Sequence, residues 1–303
     1  MSARATGHSL PELHPGMDAG EALQQVIDAC LGDYERHLAG LMASDDPRGP
    51  HGSRVALRRL RTALRGFRPI LDLAMVLPVE LEARALFRLI GPLRDADVLA
   101  GRAGSGRGSG SLSPARSPGL SGSRESEPDP LPALPALRTQ TRQALTARRA
   151  QAFADRVRDL FAGPLWRRRG GKARRRRKGP AADLARHALD RAWQRARRAD
   201  PDLAALDEAA RHRLRKDLKA LRYLSEFFTP LLPDLPLARE TRRLKALQDD
   251  LGTLTDLDLA RRSGVSGAMT AHFDEPAAEA LGRAAQRWHA LLHDELSPDD
   301  GSG

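Results

Sequence analysis

The sequence predicts an all-α protein that contains an internal repeat. Apolar residues recur at a spacing near 3.6 through most of the chain, and no stretch shows the alternation of a half-buried strand. Ala, Leu, Arg and Glu dominate while aromatics are only 4 % of residues, a composition that favours helix over sheet. A stretch in the first half also returns, without gaps, in the second.

The periodicity divides the 303 residues into eight segments, at roughly 18–43, 51–72, 78–100, 132–162, 181–199, 205–229, 236–262 and 274–295. Asp45-Asp46-Pro47, Leu77-Pro78, Asp200-Pro201 and Leu232-Pro233 mark breaks between them, because proline lacks a backbone donor and pushes its predecessor out of the helical region. Residues 101–130 are rich in Gly, Ser and Pro and read as a disordered insertion. The run WRRRGGKARRRRKGP, 166–180, reads as a mobile basic loop, with a nucleic-acid-binding or nuclear-import tail as the sharper alternative. Residues 1–17 and 296–303 read as flexible ends. This gives a first half over 18–162, an inter-half loop over 163–180 and a second half over 181–295. Eight helices in two matching sets imply two four-helix bundles related by a pseudo-two-fold.

No apolar run approaches the roughly 18 residues needed to span a bilayer, and the first residues, MSARATGHSLPELHPG, lack the order of a signal peptide. The expected address is the cytoplasm. One cysteine, Cys30, cannot form an internal disulfide and reads as a packed thiol between Ile27 and Leu31. The formal net charge is +11. Residues 51–68 hold six arginines and residues 164–182 hold nine Arg or Lys, neither stretch with an acid; outside them, 35 basic residues face 39 acidic ones. Charge focused in this way points to a polyanionic partner. Lysine occurs only at 172, 178, 216, 219 and 245; the planar arginine fork suits phosphate, and a base-rich genome favours arginine equally well.

An offset of 161 carries His51 to His212, Arg54 to Arg215, Leu57 to Leu218, Arg58 to Lys219, Arg61 to Arg222, Phe67 to Phe228 and Pro69 to Pro230. It also carries Gly91 to Gly252, Asp95 to Asp256 and Asp97 to Asp258. The repeated pattern H-x-x-R-x-x-x-[RK]-x-x-R lies on one helical stripe. Facing each other across a pseudo-dyad, the two stripes would line a channel with Arg54, Arg58, Arg61, Arg65, Arg215, Lys216, Lys219 and Arg222. A linear anion neutralises both walls of such a channel at once, whereas a small one leaves most arginines unpaired. His51 and His212 open their helices, either as caps for backbone N–H groups or as further ligands for phosphate.

The stretches "HGSRVALRRLRTALRGFRPIL" with "LIGPLRDADVL", and "HRLRKDLKALRYLSEFFTPLL" with "LKALQDDLGTLTDLDLA", resemble the CHAD family, the conserved-histidine α-helical domain. The likeness runs from about residue 18 to 295. It implies two four-helix bundles around a basic pore and a role in binding inorganic polyphosphate, with His51, His212 and the eight cations above as the pore residues. Gly52 and Ser53 are smaller than expected before Arg54.

The repeated aspartates invite a metal, yet residues two apart on a helix face different ways, so pairing with nearby arginines is the favoured reading. His289 and His293 stand at i and i+4 with only Asp294 nearby, too few ligands for a metal site. With no nucleophile triad, phosphate loop or E-x-E-x-K strand, the expectation is a non-enzymatic, cofactor-free polyphosphate-binding protein, with polyphosphate granules as a candidate location. Its rivals are a nucleic-acid binder, whose stacking aromatics would be Tyr34, Tyr223 or Trp166, a phosphohydrolase, and a helical scaffold for acidic proteins or anionic lipid.

Overall fold

The computed structural model describes residues 8–105, 130–236, 240–262 and 267–293. These form eleven α-helices: α1 (Ala19–Ala43), α2 (Arg48–Gly66), α3 (Leu73–Leu89), α4 (Gly91–Ser105), α5 (Pro130–Ala147), α6 (Phe153–Ala162), α7 (Gly171–Lys178), α8 (Ala181–Ala196), α9 (Glu208–Phe228), α10 (Thr241–Arg262) and α11 (Gly267–His293). No β-strand occurs among the described residues. Most of the expected insertion, and the ends at 1–7 and 294–303, lie outside them. Residues 8–17, expected to be flexible, are packed: Leu13 and Met17 are buried, and the Ser9 carbonyl accepts from the Arg59 guanidinium at 3.1 Å.

Several expected boundaries move, each for a physical reason. The segment 132–162 is two helices, because Arg149 takes a left-handed conformation at φ +49° and the chain turns through a 3₁₀ element at Ala150–Ala152. Pro78 lies inside α3 rather than ending it. It falls in the second turn, where one missing backbone donor is offset by the buried face of Val76, Val79, Ala83 and Leu86. The run expected as a mobile loop contains α7. Its flanks are tied by backbone bonds: Asp72 N–H donates to the Trp166 carbonyl at 2.6 Å, Arg168 to Ile70 at 2.9 Å, and Ala19 to Gly179 at 3.0 Å. Trp166 and Ala173 are buried, so this cationic stretch rests on apolar anchors. Gly170, at φ +99°, allows the turn into α7.

The chain forms two compact units. The first comprises residues 1–29, 59–75 and 165–303; the second comprises 30–58 and 76–164. In the first unit α9 packs against both α8 and α10, and α10 against α11. Trp193 and Trp288 meet edge to face at 6.0 Å, and the Trp288 indole N–H reaches the Asp200 carbonyl at 3.4 Å. The repeat mates Phe67 and Phe228 touch in the same way at 5.6 Å, each followed by a matching 3₁₀ turn, Arg68–Ile70 and Thr229–Leu231.

In the second unit α4 packs on α5, Tyr34 meets Phe153 edge to face at 5.5 Å, and its hydroxyl donates to the Ala150 carbonyl at 3.1 Å. Burial pushes this phenol well above its ordinary pKa. Cys30 is buried, as its apolar neighbours suggest. The small residues before Arg54 have their reason here. A Cβ on Gly49 would stand 2.7 Å from the backbone nitrogen of Leu41, one on Gly52 would enter the His37 ring, and Ser53 is fully buried. Close approach of α2 to α1 excludes larger side chains.

Overpacking at this contact has a measurable cost. Gly52→Ala should destabilise the protein by about 2 kcal/mol, read as a lower urea midpoint with unchanged slope, and His37→Ala in the same chain should restore part of that stability.

Candidate functional site

Helix capping decides where the two repeated histidines stand. The Asp207 carboxylate caps α9, accepting from Ala210 N–H at 2.6 Å. Asp46, its repeat mate at the same offset of 161, accepts from Arg48 N–H at 2.8 Å. Each aspartate lies five residues before its histidine, so His51 and His212 sit inside the first turns rather than capping them. Both are exposed. Partial burial, reinforced by Lys216, Arg215 and Lys219, pushes the His212 imidazole below its ordinary value.

The repeated arginines divide into anchors and open cations. Arg54 donates to the Phe87 carbonyl at 3.0 Å and lies 4.0 Å over the Phe87 ring, with Arg58 at 5.0 Å from the same ring. Burial lowers the pKa of Arg54, Asp95 counteracts it, and Arg58 and Arg94 add to the lowering. A Cβ on Gly91 would come within 2.5 Å of Arg54, and one on Gly252 within 2.9 Å of its repeat mate Arg215. The repeated glycine therefore makes room for the first arginine of the pattern. Arg222 pairs with Glu226 and donates to Gln248 at 3.1 Å. Arg61 and Lys219 are half-buried. Arg54 and Arg58 belong to the second unit, whereas Arg61, Arg65, His212, Arg215, Lys216, Lys219 and Arg222 belong to the first.

Arg59, which the basic pattern does not single out, is completely buried. It pairs with Glu226 at 3.5 Å and stacks 4.9 Å from the Phe227 ring. Glu226 thus receives one guanidinium from α2 and another from its own helix. Beside this contact, a Cβ on Gly66 would reach Leu224 at 2.8 Å, so α2 and α9 approach closely there.

From the same contact opens a cavity of about 750 Å³ within the first unit. Arg65 and Lys216 of the expected site line it. Arg191 and Arg195 of α8, Arg176 of α7, and Arg68 and Arg168 complete a wall that the repeat does not encode. Arg191 is fixed by the Gly66 carbonyl at 3.5 Å. Among the described residues, Arg65, Arg68, Arg168, Arg176, Arg195 and Lys216 form no ion pair with a carboxylate within 4.0 Å. One acid, Asp217, lines the same cavity. Burial raises its pKa against the pull of Arg195, Arg65, Arg198 and Lys216. Burial, Arg195 and Arg176 together disfavour the charge on Arg191. The cavity is thus partly desolvated and under-neutralised, two conditions that strengthen binding of an anion.

Sequence reasoning missed the cations of α8 because the apolar face of that helix dominates its pattern. The signal was present, however, as His187, Arg191 and Arg195 at steps of four. Of the repeated aspartates, Asp97 pairs with the buried Arg138 at 2.5 Å; near the second copy, Asp249 pairs with Lys245 at 3.2 Å and Asp250 with Arg283 and Arg287 at 3.2 and 2.8 Å. The side chains of Asp256 and Asp258 lie outside the described residues. Tyr34, Tyr223 and Trp166 are all buried, so none offers a ring face to a base.

Fold and site define an all-helical protein with a repeated basic helix and a cationic cavity. The model of the CHAD domain matches residues 25–263, and the chain belongs to that family. Among solved structures it is similar to the CHAD domain from the plant Ricinus communis, with 21 % identity and a TM-score of 0.65 over 98 % of this chain and 94 % of that one. It is also similar to PptA from Streptomyces chartreusis, with 18 % identity and a TM-score of 0.55 over 91 % and 99 %. No curated protein matches the chain. Among the described residues no helix is long and apolar enough to cross a membrane.

Glu226→Ala strands the buried Arg59 without its carboxylate. The substitution should cost about 3 kcal/mol or more, measured by urea denaturation.

Proposed function

We propose that this protein binds inorganic polyphosphate without turning it over, and that the cavity between α2, α7, α8 and α9 is where the polyanion is held. The observation that carries the reading is the set of cations gathered around Asp217, most of them without an ion-paired carboxylate among the described residues. Guanidinium groups with free forks bind phosphate oxygens by paired, charge-assisted hydrogen bonds. Family membership supports the same substrate class, and the matching 3₁₀ turns after Phe67 and Phe228 support two repeated helical halves. In this reading Arg54, Arg215 and Arg222 hold the helices in place, while Arg65 and Lys216 meet the ligand. The location proposed with this reading is the cytoplasm, on polyphosphate granules.

Long-chain polyphosphate should bind more tightly than single-stranded DNA or RNA at equal phosphate concentration, and its affinity should fall steeply as salt rises, since each phosphate contact releases a counterion. Arg65→Glu with Lys216→Glu should abolish measurable binding in calorimetry. Equal affinity for DNA would assign the protein to nucleic acid, and sustained release of orthophosphate with Mg²⁺ or Mn²⁺ would make it an enzyme.

His212 adds a pH dependence whose sign is fixed. Burial, with Lys216, Arg215 and Lys219, holds its pKa below the ordinary imidazole value, and the negative charge of a polyanion held beside Lys216 favours the protonated form. Affinity should therefore rise as pH falls from 7 towards 5. His212→Gln should reduce that rise in a pH series at constant salt.

A further inference from the structure

A second cavity, of about 460 Å³, adjoins the first and shares Pro69, Arg176 and Arg191 with it. Its own cationic or titratable lining is Arg175 and His187, facing one acid, Asp183. His187, Arg191 and Arg195 stand at steps of four on α8, so they form one row about 12 Å long at 1.5 Å per residue. Arg195 lies in the first cavity, Arg191 in both, and His187 in the second. Arg175 and Arg176 supply a second wall from α7.

We propose that a linear polyphosphate continues from the first cavity along this row into the second, so that Arg191 and Arg176 bridge two subsites for one chain. The inference rests on the polyphosphate reading and adds a chain-length requirement to it. A compact anion fills one cavity and gains nothing from the other. A chain long enough to reach both engages the second as an intramolecular event, with a high effective concentration. A nucleic acid would place bases against the same walls, where Pro69, Pro180 and Leu184 present no aromatic face for stacking.

Because Arg175 and His187 are exposed, they can be changed without disturbing the core. The variant Arg175→Gln/His187→Gln should bind tripolyphosphate as the unmodified protein does. Its affinity for long-chain polyphosphate should fall about tenfold, with the log–log salt slope reduced by about 0.7 for each phosphate that is no longer neutralised. Lys172→Gln/Arg174→Gln removes charge from the same short helix at residues that line neither cavity and should change neither quantity. An equal drop in both double variants would reduce the effect to the long-range field of α7 and overturn the second subsite. Unchanged long-chain binding in Arg175→Gln/His187→Gln would also overturn it, leaving the polyphosphate reading intact. Absence of long-chain binding in the unmodified protein would refute that reading itself, and a larger effect of the variant on single-stranded DNA than on polyphosphate would reassign the track to nucleic acid.

Discussion

The carboxylate of Glu226 is what allows an arginine-rich stretch of α2 to lie against a second basic helix. Without a counter-charge, burying Arg59 completely would cost several kcal/mol. With Arg59 on one side and Arg222 on the other, the two helices close until Gly66 meets Leu224 and Phe67 meets Phe228. This contact fixes one edge of the cationic cavity. The cations beyond its reach, Arg65 and Lys216 among them, stay open to solvent and to an anion.

The repeat explains both what the halves share and where they part. Shared features are mechanical: a capping aspartate five residues before each histidine, a glycine that receives the first arginine, and a proline-containing 3₁₀ turn after the helix. At the offset of 161, however, Arg65 corresponds to Glu226. One position thus holds an open cation in the first repeat and the neutralising acid in the second. That single inversion of charge makes the packed contact possible and leaves the cavity on one side of it. The same logic orders the basic run: nine cations stay together because backbone bonds, Trp166 and Ala173 fix the ends and floor of α7, while Lys178 finds Asp18 at 2.8 Å.

A protein with a cationic cavity built this way divides its arginines into two kinds. Paired arginines such as Arg59, Arg138 and Arg222 hold helices together, and their energies are set by burial. Others, such as Arg65, Arg176 and Arg195, line the cavity without an ion pair among the described residues, and burial, with Arg195 and Arg176 adding to it, lowers the pKa of Arg191 between them. Asp217 lines the same cavity.

The sequence by itself determined the helical class, most breaks between helices, the repeat with its offset, the packed Cys30 and the family. These are local or periodic properties, since a helix face is written every three to four residues and a proline acts on its immediate neighbours. It grouped Arg65 and Lys216 with Arg54, Arg215 and Arg222 as pore cations and could not tell which of them would line a cavity and which would be packed against a neighbour. That distinction depends on partners far away in the chain: Glu226 for Arg59 across 167 positions, Phe87 for Arg54 across 33, Gln248 for Arg222 across 26. Only the tertiary structure decided which arginines would find a carboxylate, carbonyl or ring, and it brought α8 and α7 to the cavity. A charge pattern records how many cations a face carries; their freedom to bind an anion is set by what the fold packs against each one.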